Sequence, residues 1–242
     1  MQCFHFYRKE EKMHAIFQTI APRYNCLNRM ISFFHDQYWR RKAVEQANFA
    51  PHAKLLDICC GTGRLTQELL RHCDETGRIT GLDFSANMLR EAEANLRYHP
   101  RCRQVSWVHG NALHLPFADA SFDGVSIAFG LYSLAGTEQA LREMLRVLRP
   151  GGKLLLLELS QPSDTFLTPL FHFYFEHVLP LAGSLYLGLP ITFQRWLPES
   201  LHTLPSGGAL SQILSQLGAA AISGKSLTNG IVSIVTAVKS EV

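Results

Sequence analysis

Residues 55–64 read LLDICCGTGR: an apolar run broken by the carboxylate of Asp57, two adjacent thiols, and then Gly61-Thr62-Gly63. Two glycines after a strand and before a helix let backbone approach a ligand closely and aim the helix's first N–H groups at it. A dinucleotide fingerprint would continue to a third glycine at position 66, where this chain has Thr66. A phosphate-binding P-loop would need Gly-Lys-Ser/Thr, which is absent. The stretch RITGLD (78–83) ends on Asp83, at the distance from the glycines where this kind of fold uses an acid to accept hydrogen bonds from a ribose.

One nucleoside without a pyrophosphate points to S-adenosylmethionine. Asp57 can orient the amides of the glycine turn, meet the ligand's ammonium group, or do both. In HGNALHLPF (109–117), Asn111 is placed to hold an adenine edge and the amide of Ala112 to add a backbone contact, although Asn is also a turn residue in its own right. FDGVSIAFGLYSL (122–134) would end near the transferred methyl group. Eleven histidines include no H-x-x-x-H pair or Cys/His cluster, so no metal is expected.

These residues need elements to hold them. KLLDICC (54–60), RITGLD (78–83), QVSWVHG (104–110), FDGVSIAFG (122–130) and KLLLLELS (153–160) read as strands. Between them lie helical patterns: Leu65, Leu69, Leu70 and Cys73 in 62–73, Met88, Leu89, Ala92 and Leu96 after an N-cap at Ser85, and Leu141, Met144, Leu145 and Leu148 in a helix that stops at Pro150-Gly151-Gly152. Alternation of this kind predicts an α/β fold: a doubly wound, mostly parallel sheet with its ligand at the strands' C-terminal edge. The tail 219–239 reads as two further strands, antiparallel at the sheet edge. Residues 1–50 form a helical extension, 51–160 the cofactor-binding core, 163–205 a helical cover, and 206–242 a closing helix and strands of one domain.

The cover is strongly apolar, TFLTPLFHFYFEHVLPLAGSLYLGLP, yet Pro169, Pro180 and Pro190 interrupt it and His172, Glu176 and His177 lie within it, so no clean membrane span of about 20 residues exists. A net charge of +3 without a Lys/Arg run gives no argument for nucleic acid. The six cysteines lack C-x-x-C spacing and read as free thiols of a reducing compartment, which makes the expected location cytoplasmic.

Taken together, Gly61-Thr62-Gly63, Asp83, GNALHLPF (110–117) and LRVLRPGGKLLLLE (145–158) resemble the class I S-adenosylmethionine-dependent methyltransferases, whose sheet is Rossmann-like with seven strands. Within them the chain is similar to the ubiquinone/menaquinone biosynthesis C-methyltransferases. APRYNCLNRMISFFHDQYWRR (21–41), RVLRPGGKLLLLELSQP (146–162), and EHVLPLAGSL with RWLPESLHTLP in the cover carry the narrower match. The resemblance implies cofactor contacts at Thr62, Asp83, Asn111 and Ala112. The family's serine contact falls on Ala128, its Tyr-Asp pair on Tyr24-Asn25, and its Arg-Asn pair after Phe-Gly-Leu on Tyr132-Ser133.

It implies methylation of a ring carbon in a reduced, prenylated quinone precursor, with membrane lipid as a peripheral partner at the inner face and a homodimer left open. Loss of a quinol proton makes the ring carbon nucleophilic, and Tyr24, His35, Asp36, His109, Tyr132 and His177 are the candidates to handle it, with Tyr132, Tyr24 and His177 foremost. Two other readings stay open: methylation of another apolar acceptor such as a phospholipid amine, and a catalytically silent cofactor-binding scaffold.

Overall fold

Leu55, Leu56 and Ile58 are apolar on both sides of one short strand, β1 (Lys54–Ile58), and such a strand is stable only where both faces are covered. In the computed structural model, which describes residues 15–160, 173–178, 181 and 206–241, β1 lies in the middle of a seven-stranded sheet. The other strands are β2 (Arg78–Asp83), β3 (Val105–His109), β4 (Phe122–Ala128), β5 (Leu148–Leu159), β6 (Ala219–Leu227) and β7 (Val232–Lys239). The helices are α1 (Tyr24–Ile31), α2 (Asp36–Ala47), α3 (Arg64–His72), α4 (Ala86–Leu96), α5 (Thr137–Val147) and α6 (Gly207–Gln216), preceded by a helical stretch at 15–20.

The strand order is β3-β2-β1-β4-β5-β7-β6. The first five run parallel, and β7 is antiparallel to both β5 and β6. Trp39, Ala43 and Val44 of α2 and Leu65 and Leu69 of α3 pack on one face against Leu55, Leu155 and Leu157. Leu141, Met144 and Leu145 of α5 and Leu210 and Leu214 of α6 cover the other, against Leu56, Ile58 and Val125. Each fully buried aliphatic side chain of this kind contributes about 1.5–3 kcal/mol. The order reverses between β1 and β4, so the loops leaving those two strands diverge and open a crevice at their C-terminal ends.

The expected alternation is present, with shifted boundaries. β1 ends at Ile58 because Cys59 turns to a φ of 52°, which releases both cysteines into the loop. β4 likewise stops at Ala128, before Phe129 at φ 56°. α5 ends at Val147, not at Pro150: Leu148 is already extended and pairs with Phe122, and Arg149-Pro150-Gly151-Gly152 make a bulge before the register resumes at Gly124↔Lys153. Pro150 has no N–H for a helix and disfavours the helical region for Arg149. Ser85 caps α4 as expected, accepting from the Met88 amide at 3.3 Å. The cover at 163–205 lies mostly outside the described residues. Among those described, no helix is long and apolar enough to cross a membrane.

Candidate active site

The glycine turn is built by left-handed backbone at Cys59, Gly61 and Gly63, the last of which starts α3. Gly63 favours a bare backbone: its φ of 77° strains any L side chain, and a Cβ there would sit tightly, 3.1 Å from the Trp107 ring and 3.2 Å from Leu96. Thr66, standing where a dinucleotide fold would have its third glycine, is fully buried and donates its hydroxyl to Asp57 Oδ2 at 2.6 Å. Ser126 of the neighbouring strand donates to Asp57 Oδ1 at 3.0 Å. Asp57 therefore acts as a strut between β1, α3 and β4, and it also lines the crevice. Burial pushes its carboxyl up to about 6, against the opposing pull of these hydroxyls.

Asp83, at the end of β2, is 4% exposed and accepts from the amides of Gly61 at 2.8 Å and Ser85 at 2.9 Å. Its carboxyl is also raised to about 6 by burial. The two amides fix its plane and leave the other lone pairs for hydroxyl donors, as a ribose diol requires. Thr62 donates to Asn25 Oδ1 at 2.6 Å, which ties α1 to the glycine turn. Asn111 stands beyond the end of β3 and is exposed. Its side-chain oxygen takes the Leu113 amide at 2.9 Å, so the local turn role is realised, while Ala112 beside it is buried.

Two cavities meet at this edge. The first, of about 300 Å³, is polar and is bounded by Asp57, Gly61, Thr62, Ala128, Arg40 and Arg64, among others. The second, of about 520 Å³, is mainly apolar, with Ile20, Leu27, Ile31, Trp39, Phe129 and Leu159 in its walls. Tyr24 and Arg40 belong to both. Of the six candidate proton-handling residues, Tyr24, Asp36 and Tyr132 line the apolar cavity. The phenols of Tyr24 and Tyr132 lie near each other in this wall, and burial raises both above the usual tyrosine value. Each is thus a neutral hydrogen-bonding group, and a weak base.

The histidines are elsewhere. His35 and His109 are exposed and tied to the carbonyls of Phe33 and Phe84 at 2.8 Å each. His177 is also exposed, stacked on the Phe173 ring at 5.2 Å, and lines neither of these two cavities. The turn that carries it, Tyr174–Val178, presents Tyr174 to α1 and His177 to the outside.

Sequence reasoning missed three charged residues. Glu158, near the end of β5, is 1% exposed and accepts from the Gly130 and Leu131 amides at 2.8 and 2.7 Å, which holds the turn that presents Tyr132. Burial raises its carboxyl to about 8, and its second oxygen has no hydrogen-bond partner among the described residues. An acid after a run of four leucines was the available signal, the same signal that singled out Asp57. Arg40 and Arg64 are the other two. Arg40 sits one turn after Asp36, on the same side of α2, and Arg64 directly follows the glycine turn.

A glycine turn with open backbone, an acid held by two amides at the end of β2, and a polar recess beside an apolar one suit an adenosyl group linked to an amino acid. With the sheet order above, they define a class I S-adenosylmethionine-dependent methyltransferase fold. A solved structure of a methyltransferase of that type from Thermotoga maritima has the same fold, with a TM-score of 0.64 and 19% identity, over 94% of this chain and 99% of that one.

The chain itself belongs to the ubiE/COQ5 methyltransferase family, which it matches over residues 6–239. It is 38% identical to the demethylmenaquinone methyltransferase of Desulfitobacterium hafniense (strain Y51), over 91% of this chain and 87% of the relative. It is 36% identical to the ubiquinone/menaquinone biosynthesis C-methyltransferase UbiE of Geotalea daltonii, over 96% and 97%.

Proposed function

We propose that this chain transfers the methyl group of S-adenosylmethionine to a ring carbon of a reduced, prenylated quinone precursor of the demethylmenaquinol kind. The observation that carries this reading is the shared wall: Tyr24 and Arg40 border both the polar crevice at the glycine turn and an apolar cavity walled by Ile20, Leu27, Ile31, Trp39 and Phe129, the kind of lining an apolar aromatic ligand takes. The names of its relatives, demethylmenaquinone and ubiquinone/menaquinone biosynthesis methyltransferases, support the same class of acceptor.

The cofactor supplies a methyl group on a sulfonium, which is already electrophilic. The protein's task is to hold the ring carbon in line with it and exclude water, and alignment of this kind is worth about 7–11 kcal/mol. Thr62, Asp83, Asn111 and Ala112 hold the nucleoside end, with Gly61 and Gly63 giving backbone access and Ala128 forming a wall without a hydroxyl. On the acceptor side, a quinol hydroxyl that loses its proton pushes charge onto the ring. Asp36, 4% exposed and facing Arg40 at 4.0 Å, is the carboxylate available in that cavity to take the proton. The neutral Tyr24–Tyr132 pair orients the quinol oxygens by hydrogen bonding.

Residues 1–242 form one domain in this reading, with 163–205 as the cover under which the prenyl tail lies. The protein works in the cytoplasm, against the inner face of the membrane. An exposed apolar set beyond the C-terminal end of α1 supports lipid contact: Phe33 and Phe34 are 61% and 71% exposed, and Phe173, next to the Tyr174 that packs on Phe33, is 57% exposed.

The test is transfer of label from methyl-labelled S-adenosylmethionine to a demethylmenaquinol in detergent, with phosphatidylethanolamine offered in parallel. Labelled quinol with no labelled lipid is the expected result. Labelled lipid alone would establish the phospholipid-amine reading, and cofactor binding without turnover on either would establish a silent scaffold. Asp36→Asn lowers kcat about 10²–10⁴-fold, the usual worth of a positioned proton acceptor.

A further inference from the structure

The polar crevice contains two guanidinium groups that the described residues leave incompletely hydrogen-bonded. Arg40 is 6% exposed, and its Nε has no hydrogen-bond partner among the described residues; the Asp36 carboxylate stands 4.0 Å away, and the Phe129 ring lies 4.9 Å from the guanidinium carbon. Nη2 of Arg64 is likewise buried and without a partner among the described residues. Both side chains line the same recess as Asp57, Gly61 and Thr62.

Arg40 and Arg64 are also close enough to repel each other, with Arg29 adding to the field and Asp36 and Glu68 opposing it. Desolvated N–H groups of a cation are costly to leave unmade, so two in one recess point to an anionic ligand that completes them. The Asp57 carboxylate lines the same recess. Two guanidinium groups and a carboxylate lining one recess match an α-amino acid zwitterion better than a phosphate.

We propose that Arg40 and Arg64 bind the α-carboxylate of the cofactor's methionine moiety, with its ammonium toward Asp57. This rests on the cofactor reading above and adds the residues that grip its amino-acid end. Arg40 also borders the apolar cavity, so anchoring the carboxylate there sets the reach from that point to the sulfur and aims the methyl group at the acceptor. Bidentate geometry suits a guanidinium for this task more than an ammonium group would.

Calorimetry with two probes tests the assignment: S-adenosylhomocysteine, and S-adenosyl-3-thiopropylamine, which keeps the amine and the sulfur but lacks the carboxylate. The native protein is expected to prefer the first by about 10- to 100-fold, the worth of one or two charge-assisted hydrogen bonds. In Arg64→Gln that preference collapses, because binding of the first weakens while binding of the second is unchanged. Arg40→Gln behaves in the same way, and Arg40→Lys recovers part of the preference.

Equal loss for both probes, or an unchanged preference in both glutamine variants, would overturn the proposal, since a packing role does not distinguish the ligands. If Arg40→Gln fails to fold, the half-buried Arg64→Gln decides alone. A native protein that binds neither probe would sink the cofactor reading itself, and this inference with it.

Discussion

Asp83 performs two tasks with one carboxylate. It receives the Gly61 and Ser85 amides, which join the glycine turn to the start of α4, and in the proposed reading its remaining lone pairs take a ligand diol. Asp83→Ala therefore loses on both counts. Affinity for S-adenosylhomocysteine should fall by at least about 30-fold, and the two stranded amides should lower stability by about 1–3 kcal/mol. Calorimetry and a denaturant melt read the two effects separately, and an unchanged dissociation constant would remove Asp83 from the ligand site.

Glu158 gives a prediction about pH. Its carboxyl has an ordinary value of 4.5 and is raised to about 8 in the folded state by burial. Between those values the folded protein holds a proton that the unfolded chain has released, so stability falls as pH rises through that window and levels off above it. Glu158→Gln keeps an oxygen for the Gly130 and Leu131 amides and removes the titration. Its stability advantage over the native protein should grow between about pH 5 and about pH 8. Unfolding curves at several pH values check this, and parallel profiles for the two proteins would refute it.

Among the elements, the junction of β1 with α3 carries the strongest local constraint. Gly63 begins the helix in left-handed backbone at φ 77°, directly under Trp107, Ala92 and Leu96. Trp107 in turn crosses β2 at Gly81, where a Cβ would stand 2.5 Å from the indole. The two glycines thus accommodate one aromatic ring that seals α3 and α4 over the sheet edge. Gly63→Ala combines a left-handed penalty of about 1–2 kcal/mol with overpacking of about 1–3 kcal/mol, for a total of about 2–5 kcal/mol in a denaturant midpoint. A loss below about 0.5 kcal/mol would mean that the turn can rebuild.

At the scale of the whole molecule, the sheet's switch point places the cofactor crevice, and α1 and α2 roof the cavity next to it. Trp39 anchors that roof to the far end of the chain by donating to Thr228 Oγ1 at 2.8 Å. Phe33 and Phe34 stand at the turn between the two helices with φ values of 47° and 64°, a conformation that bulky residues adopt at a cost. Phe33 packs on the Tyr174 ring at 4.7 Å, whereas Phe34 is mainly solvent-exposed. A Phe33→Ser/Phe34→Ser double variant should keep its melting temperature within a few degrees and its activity on a short-chain quinol in detergent, and lose sedimentation with anionic vesicles. Unchanged vesicle binding in the double variant, or none by the native protein, would overturn the proposed lipid contact at this turn.

How much of this was legible beforehand follows from the range of each interaction. Strand and helix order, the Ser85 cap, the glycine turn and the roles open to Asp57 and Asp83 are written in neighbouring residues, because periodicity and backbone freedom are local. The end of α5 was misplaced at Pro150 because pairing of Leu148 with Phe122, a long-range contact, overrides helical spacing. Tertiary structure alone decided which titratable groups face the site. His177 turned outward, Glu158 turned in to hold the Tyr132 turn, and Arg40 and Arg64 converged from separate helices. Desolvation sets those outcomes, and burial depends on residues far away in the chain.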